Sequence, residues 1–365
     1  MTRTRHSRKD AKAPPGDDWG IHEPERFREF IEILETCQAL VRSASPVKVR
    51  LAIVLLDNLA EVFMYHAGNA LIEHDPFSKR FTPATYSPSD RERFQKDFTG
   101  KIWFLSDKSS LLPADDATVL RVAHAYRNAA FHRDEHNHHA NKVIVVLLFG
   151  VACRLLSSTY GDNTTVGGDK SIELWLKTYG INAPFLEFGA ASRHIGSLLL
   201  ENIAVSGEDV RSALTRDLDE RWQLLVNRVK KELPLPELVL DEILKTEEFD
   251  RQFDDDTASE PMREANRIVA EGGPFSRTEY LRREREYWQA VRTAYADFAP
   301  TFQWSGVRTM KTSFCRLGRQ KTPGRVLSVY EELSDRLAKA EHLLTSAIRR
   351  SEAAGEVASD LARGC

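Results

Sequence analysis

One short stretch of the chain gathers residue types that can cleave a phosphodiester bond. Arg127, Asn128 and His132 lie close together, and His124 precedes them by about one helical turn. An imidazole can move the proton of an attacking 2'-hydroxyl, and a permanent cation can stabilise the charge that develops on phosphate. The pattern alone leaves two interpretations open: an RNA-cleaving site, or a charged helix end whose histidine caps backbone carbonyls.

The stretch Arg127-Asn128-Ala129-Ala130-Phe131-His132 resembles the motif of the HEPN (higher eukaryotes and prokaryotes nucleotide-binding) family. In that motif an arginine is followed by a polar residue and, a few residues later, by a histidine. The similarity covers roughly residues 21–160. It implies a metal-independent endoribonuclease without a cofactor, often part of toxin or phage-defence systems. His132 would then be the general acid or base, Arg127 the phosphate-stabilising cation and Asn128 an orienting group.

The resemblance also implies a homodimer in which two bundles line one cleft with both motifs. In some family members an acidic residue from another helix supports the site, and here Asp57 and Glu61 are the candidates, with His124 as a further one. An antitoxin or regulatory partner is also expected. One subset of the family has a tyrosine two residues after the histidine, where this chain has Asp134. The tyrosine modification of that subset is therefore not expected here.

Two other interpretations stay open. A HEPN-like module without activity would be a scaffold that binds RNA or protein. The sequence His132-Arg133-Asp134-Glu135-His136 also matches the inverted zincin pattern, in which two histidines hold zinc and a glutamate polarises water. His138 and His139 are possible further ligands. The surrounding sequence reads as a loop, however, and no downstream glutamate stands out as a third ligand, so no metal site is expected.

A second region, near the end of the chain, combines cations with aromatic residues. Such a combination favours single-stranded RNA, because cations contact phosphate and aromatic rings stack on bases. The alternative is a solvated loop whose aromatic residues pack inward. The residues predicted to bind RNA are Arg308, Lys311, Arg316, Arg319, Lys321 and Trp304.

Apolar residues recur at three- and four-residue spacing through most of the chain, which predicts a mainly α fold. Pro, Thr and Ser in residues 74–88 predict a loop. The predicted helices are 24–42, 46–73, 89–98, 113–132, 141–158, 190–203, 207–233, 236–249, 277–298 and 325–350.

Composition and length set the remaining expectations. We expect a flexible N-terminal tail (1–20), a HEPN-like helical bundle (21–160), a linker or insertion (161–189) and a C-terminal helical domain (190–365). A net charge of −3 argues against a generally basic surface, and the four cysteines lack the spacing of zinc or redox motifs. The strongest apolar run, 143–153, is too short to cross a bilayer. These features predict a cytoplasmic protein without a membrane partner.

Overall fold

The structure of the protein is a computed structural model. It describes residues 24–43, 45–78, 84–132, 138–159, 165–166, 170–182, 186–201, 203, 207–233, 237–253, 277–300 and 303–363. These residues are mainly α-helical, as the sequence predicts. A two-residue strand β1 (Thr165–Val166) pairs antiparallel with β2 (Leu186–Glu187), and the sequence pattern predicted neither.

The chain divides into two compact units. The first comprises Met1–Val210 with Thr322–Leu327, and the second comprises Arg211–Lys321 with Ser328–Cys365. The predicted division into a tail, a HEPN-like bundle, a linker and a C-terminal domain stays a prediction. Helices of the first unit are α1 (Pro24–Arg42), α2 (Pro46–Ser78), α3 (Pro88–Lys96), α4 (Phe98–Trp103), α5 (Ala114–His132), α6 (His138–Thr159), α7 (Lys170–Lys177) and α8 (Phe188–Glu201).

The core of the first unit forms where α6 packs against α1, α2, α5 and α8. Apolar residues on one face of α1 are buried, as their spacing predicts, because that face turns toward α2 and α6. The apolar segment of α6, Ala140–Thr159, is longer than the run 143–153 identified in the sequence. Its length and composition alone would allow it to cross a membrane. However, 61% of its most apolar 18-residue window is buried inside the protein.

Helix α2 is longer than predicted. It continues to Ser78, where the sequence predicted a loop from residue 74. The buried Asp75 carboxylate accepts hydrogen bonds from the backbone N–H groups of Thr85 and Tyr86, at 2.9 and 3.2 Å, and Arg91 lies 3.4 Å away. These contacts hold the last turn of α2, and local composition does not reveal them.

Helices α3 and α4 follow one another almost without a break. Ser87 and Asp90 form a capping box at the start of α3, and the Asp97 carboxylate accepts a hydrogen bond from the Gly100 N–H at 2.7 Å to cap α4. A π-helical turn, Phe104–Lys108, continues α4. The sequence predicted a single helix over residues 89–98, so α4 was missed.

The second unit contains most of α9 and α14 and all of the helices between them. They are α9 (Gly207–Glu232), α10 (Glu237–Gln252), α11 (Arg277–Asp297), α12 (Trp304–Ser313), α13 (Cys315–Gly318) and α14 (Pro323–Arg363). Inside this unit the Tyr330 hydroxyl donates to the buried Asp217 carboxylate at 2.6 Å. Arg221 donates to the Glu341 carboxylate through two nitrogens, at 3.0 and 3.3 Å.

Candidate functional site

Helix α5 carries the motif singled out in the sequence. It begins beside Asp115 and Asp116, whose negative charges favour the N-terminal end of the helix dipole. Arg154 of α6 donates two hydrogen bonds to the Asp116 carboxylate, at 2.7 and 2.8 Å. This bidentate pair fixes the start of α5 against α6 and so sets the position of the residues that follow.

A carboxylate and an imidazole from two helices meet at the centre of the site. Asp57 of α2 is 2% exposed, and its Oδ2 and Oδ1 lie 3.0 and 3.3 Å from Nδ1 of His124. Because an ionised carboxylate can only accept, His124 donates through Nδ1, which makes Nε2 the proton-accepting nitrogen of the neutral ring. The pair therefore selects a tautomer and an orientation of the imidazole, as carboxylate–histidine pairs do in catalytic sites.

Phe98 of α4 restricts the same imidazole from a third helix. The rings of Phe98 and His124 are stacked, with centroids 4.0 Å apart and planes inclined by 11°. Phe98 is buried and His124 is half-buried. The His124 ring is thus held by a hydrogen bond at its edge and by a stacked ring on its face.

Arg127 joins this pair one turn further along α5. Its Nε lies 3.9 Å from Oδ2 of Asp57, and its Nη1 donates to the Asn128 Oδ1 at 2.9 Å. These contacts hold the guanidinium in place. Because the Arg127 side chain is 33% exposed, it still reaches the surface. Asp57, His124, Arg127 and Asn128 form what we call the α2–α5 cluster.

Burial raises the pKa of Asp57 above its ordinary value. The neighbouring His124 and Arg127 lower it, but they do not offset the loss of solvation, and the nearby Glu61 raises it further. A buried carboxylate with a raised pKa, held between two basic groups, is typical of functional sites.

Glu61 lies one turn beyond Asp57 on α2 and has a different partner. Its Oε1 accepts a hydrogen bond from Lys101 Nζ of α4 at 3.1 Å. The Lys101 side chain is only 10% exposed, whereas that of Glu61 is 40% exposed. Of the two predicted acidic candidates, the described contacts place Asp57 with the motif helix and Glu61 with α4.

The remaining residues of the motif lie partly outside the described structure. The α5 backbone extends to His132, but the His132 side chain is not among the described ones, and neither are residues 133–137. The predicted catalytic role of His132 and the zinc alternative therefore stay predictions. Within the residues that are described, no group of three or more His, Cys, Asp or Glu side chains could hold a metal ion.

No family model, curated protein or solved structure matches the chain. The functional interpretation therefore depends on the geometry of these residues.

The predicted RNA-binding segment lies in the second unit. Trp304 is 4% exposed, so its ring is not placed to stack on a base as predicted, and the nearby Phe314 is buried as well. The burial of Trp304 corrects its predicted stacking role.

Two of the predicted cations are engaged with acids. Lys311 Nζ lies 2.7 Å from the Asp219 carboxylate, and Arg316 donates two hydrogen bonds of 2.7 Å to Glu332. Four of the predicted cations, Arg308, Lys311, Arg319 and Lys321, have exposed side chains.

Phe98 and Lys101 are site residues that sequence reasoning missed. Both belong to α4, a six-residue helix that the periodic pattern did not reveal. Their roles depend on α4 packing against α2 and α5. The one local signal was Asp97, an N-cap residue type directly before an apolar residue.

Proposed function

We propose that this protein is a metal-independent, HEPN-like endoribonuclease that cleaves RNA by attack of the 2'-hydroxyl. The observation that carries the proposal is the α2–α5 cluster, in which the buried Asp57 orients His124 beside the Arg127 guanidinium. The cluster provides a proton-transfer group and a cation side by side, and the HEPN-like motif on the same helix adds His132.

In this mechanism a histidine removes the proton of the 2'-hydroxyl, and the 2'-oxygen attacks the adjacent phosphorus. The bond between phosphorus and the 5'-oxygen breaks, and a second acid protonates the leaving oxygen. The products are a 2',3'-cyclic phosphate and a 5'-hydroxyl end. Arg127 stabilises the charge on the non-bridging oxygens, Asn128 orients Arg127, and His132 and His124 are the candidates for proton transfer.

The proposal is tested by incubating the purified protein with total RNA in EDTA and identifying the new RNA ends. We expect cleavage to continue under chelation and to leave 2',3'-cyclic phosphates, because no metal-bound water takes part. Activity that is lost in EDTA and restored by zinc would instead support the inverted zincin interpretation. Binding of RNA without cleavage would support the inactive scaffold.

We also propose that the active form is a homodimer that joins two α5 helices at one cleft. Cleavage benefits from one group that accepts a proton and another that donates one, and a two-fold axis supplies each residue twice. Exposed apolar side chains on α2, Val47 at 66% and Leu51 at 49%, offer surface that a second copy can cover. Full activity per chain in a stable monomer, measured by mass and cleavage during dilution, would contradict the shared cleft.

The basic segment is proposed as an additional RNA contact through its exposed cations. Because Arg316 pairs with Glu332, the sharper test replaces Arg319 and Lys321 with alanine. Loss of phosphate contacts should weaken RNA binding and flatten its salt dependence, and an unchanged salt slope would exclude the contact. A toxin or phage-defence role in the cytoplasm, with an antitoxin or regulatory partner, completes the proposal.

A further inference from the structure

A pocket of about 340 Å³ opens beside the α2–α5 cluster. It shares α2 with that cluster, because α2 supplies Glu61 one turn after Asp57. Helix α4, whose Phe98 stacks on His124 of the cluster, supplies Lys101 one turn after Phe98. Its volume is at the lower end of the range of small-molecule sites. The residues that line it are Arg26, Glu61, Val62, Tyr65, His66 and Lys101.

The walls of the pocket suit a flat aromatic ligand. Val62 and Tyr65 provide apolar surface, and the Tyr65 ring is held nearly parallel to the Phe94 ring, at 12° with centroids 6.2 Å apart. Arg26 adds a guanidinium whose side chain is 39% exposed. An aromatic surface beside a cation is the combination that binds a base together with its phosphate.

The polar groups in the pocket define which base fits. Glu61 and Lys101 are 3.1 Å apart, so an acceptor with two oxygens stands next to an ammonium with three donor hydrogens. Guanine presents the complementary edge, because its N1–H and N2–H are adjacent donors and its O6 is the neighbouring acceptor. Adenine and cytosine offer a single amino group on this edge, and uracil offers a single N–H.

We infer that this pocket holds a guanine base of the RNA strand, with Glu61 accepting from N1–H and N2–H and Lys101 donating to O6. The inference rests on the proposed ribonuclease function and gives the enzyme a preference for guanine next to the cleaved bond. Glu61, predicted from the sequence as a possible support for catalysis, is thereby assigned to substrate recognition.

The test measures binding to the full-length protein by calorimetry, so that it does not depend on cleavage. The ligands are the 3'-monophosphates of guanosine, inosine and cytidine, because inosine lacks only the 2-amino group of guanosine. We expect guanosine monophosphate to bind about tenfold more tightly than the inosine compound. Glu61→Gln should abolish this difference, whereas Glu73→Gln, the same change at an exposed position of α2, should preserve it.

Equal binding of the guanosine and inosine compounds by the wild-type protein, or a difference that persists in Glu61→Gln, would overturn the inference.

A second arm compares 5'-GTP with a 2'-O-methyl RNA tetramer containing one guanine, which cannot undergo 2'-hydroxyl attack. Tighter binding of the tetramer supports an RNA base as the ligand, and tighter binding of GTP overturns it in favour of a free nucleotide. Guanine-dependent binding without RNA cleavage would refute the proposed ribonuclease function but support guanine binding in the pocket. Cleavage without guanine-dependent binding would support the ribonuclease function and refute guanine binding in the pocket.

Discussion

Replacing Gly100 with alanine should destabilise the first unit, because α4 approaches the preceding helix too closely for a side chain. A methyl group at Gly100 would place Cβ 2.0 Å from the backbone carbonyl oxygen of Arg93, whereas ordinary contact begins at 3.4 Å. The two atoms must therefore separate by about 1.4 Å, which is 3.4 minus 2.0. The contact is with backbone, so no flexible side chain can move aside to relieve it.

The expected magnitude is the difference between two opposing effects. Overpacking of this kind costs about 3 kcal/mol at the upper end, while alanine gains about 1 kcal/mol over glycine inside a helix. The net loss is about 2 kcal/mol, which corresponds to a fall in melting temperature of about 4–8 °C for a unit of this size. Since α4 also carries Phe98 and Lys101, RNA cleavage should fall with stability.

Urea unfolding followed by circular dichroism measures the change, and Gly150→Ala is the matched control within the same unit. Gly150 is a buried helical glycine whose Cβ would lie 3.4 Å from the nearest atom, the Nη1 of Arg154, which is an ordinary contact distance. The control should be neutral or up to about 1 kcal/mol more stable than wild type. If Gly100→Ala were as stable as Gly150→Ala, the close approach of α4 to Arg93 would be refuted.

Two further predictions concern groups whose burial changes their proton affinity. Burial raises the pKa of Asp57 above 3.8, so the folded state binds this proton more tightly than the unfolded chain, and stability falls as pH rises from 3.8 through the folded-state pKa. Asp57→Asn should therefore gain stability relative to wild type over that interval, as measured by urea titrations at several pH values, and its RNA cleavage should fall. A stability difference between Asp57→Asn and wild type that shrinks with rising pH would contradict this. Burial also raises the pKa of Cys37 and of Cys153 to about 12, whereas Cys315 is exposed. Iodoacetamide should thus label Cys315 in the native protein and reach the other two only in urea, and mass spectrometry showing native labelling of Cys37 would contradict their burial.

The sequence predicted the helices whose apolar residues repeat over several turns. Helix α1 has the predicted bounds, and its apolar face is buried, because a long amphipathic helix carries its own periodic signal. Helix α4 and the end of α2 escaped prediction because tertiary contacts hold them: Asp75 binds the backbone at Thr85 and Tyr86, and Gly100 allows the approach to Arg93.

The candidate site was predictable only in part for the same reason. The spacing of His124, Arg127 and Asn128 was visible on one helix, and Asp57 was a candidate carboxylate from another. The packing of α2 against α5 decides which acid reaches the imidazole of His124, and local sequence does not predict that packing. The stacked Phe98 and the Glu61–Lys101 pair likewise depend on α4. In the basic segment, spacing could not reveal that Lys311 and Arg316 pair with acids.

The most direct test of the central claim is RNA cleavage in EDTA by Arg127→Ala and by Arg121→Ala. Both arginines lie on α5, but Arg121 is exposed and donates to Thr118 on its own helix, whereas Arg127 belongs to the α2–α5 cluster. We predict a loss of about 10²–10³ in the cleavage rate for Arg127→Ala, typical of removing a group that stabilises transition-state charge, and no loss for Arg121→Ala. Equal rates for the two variants, with both folded as judged by circular dichroism, would contradict the assignment of the cluster as a ribonuclease site.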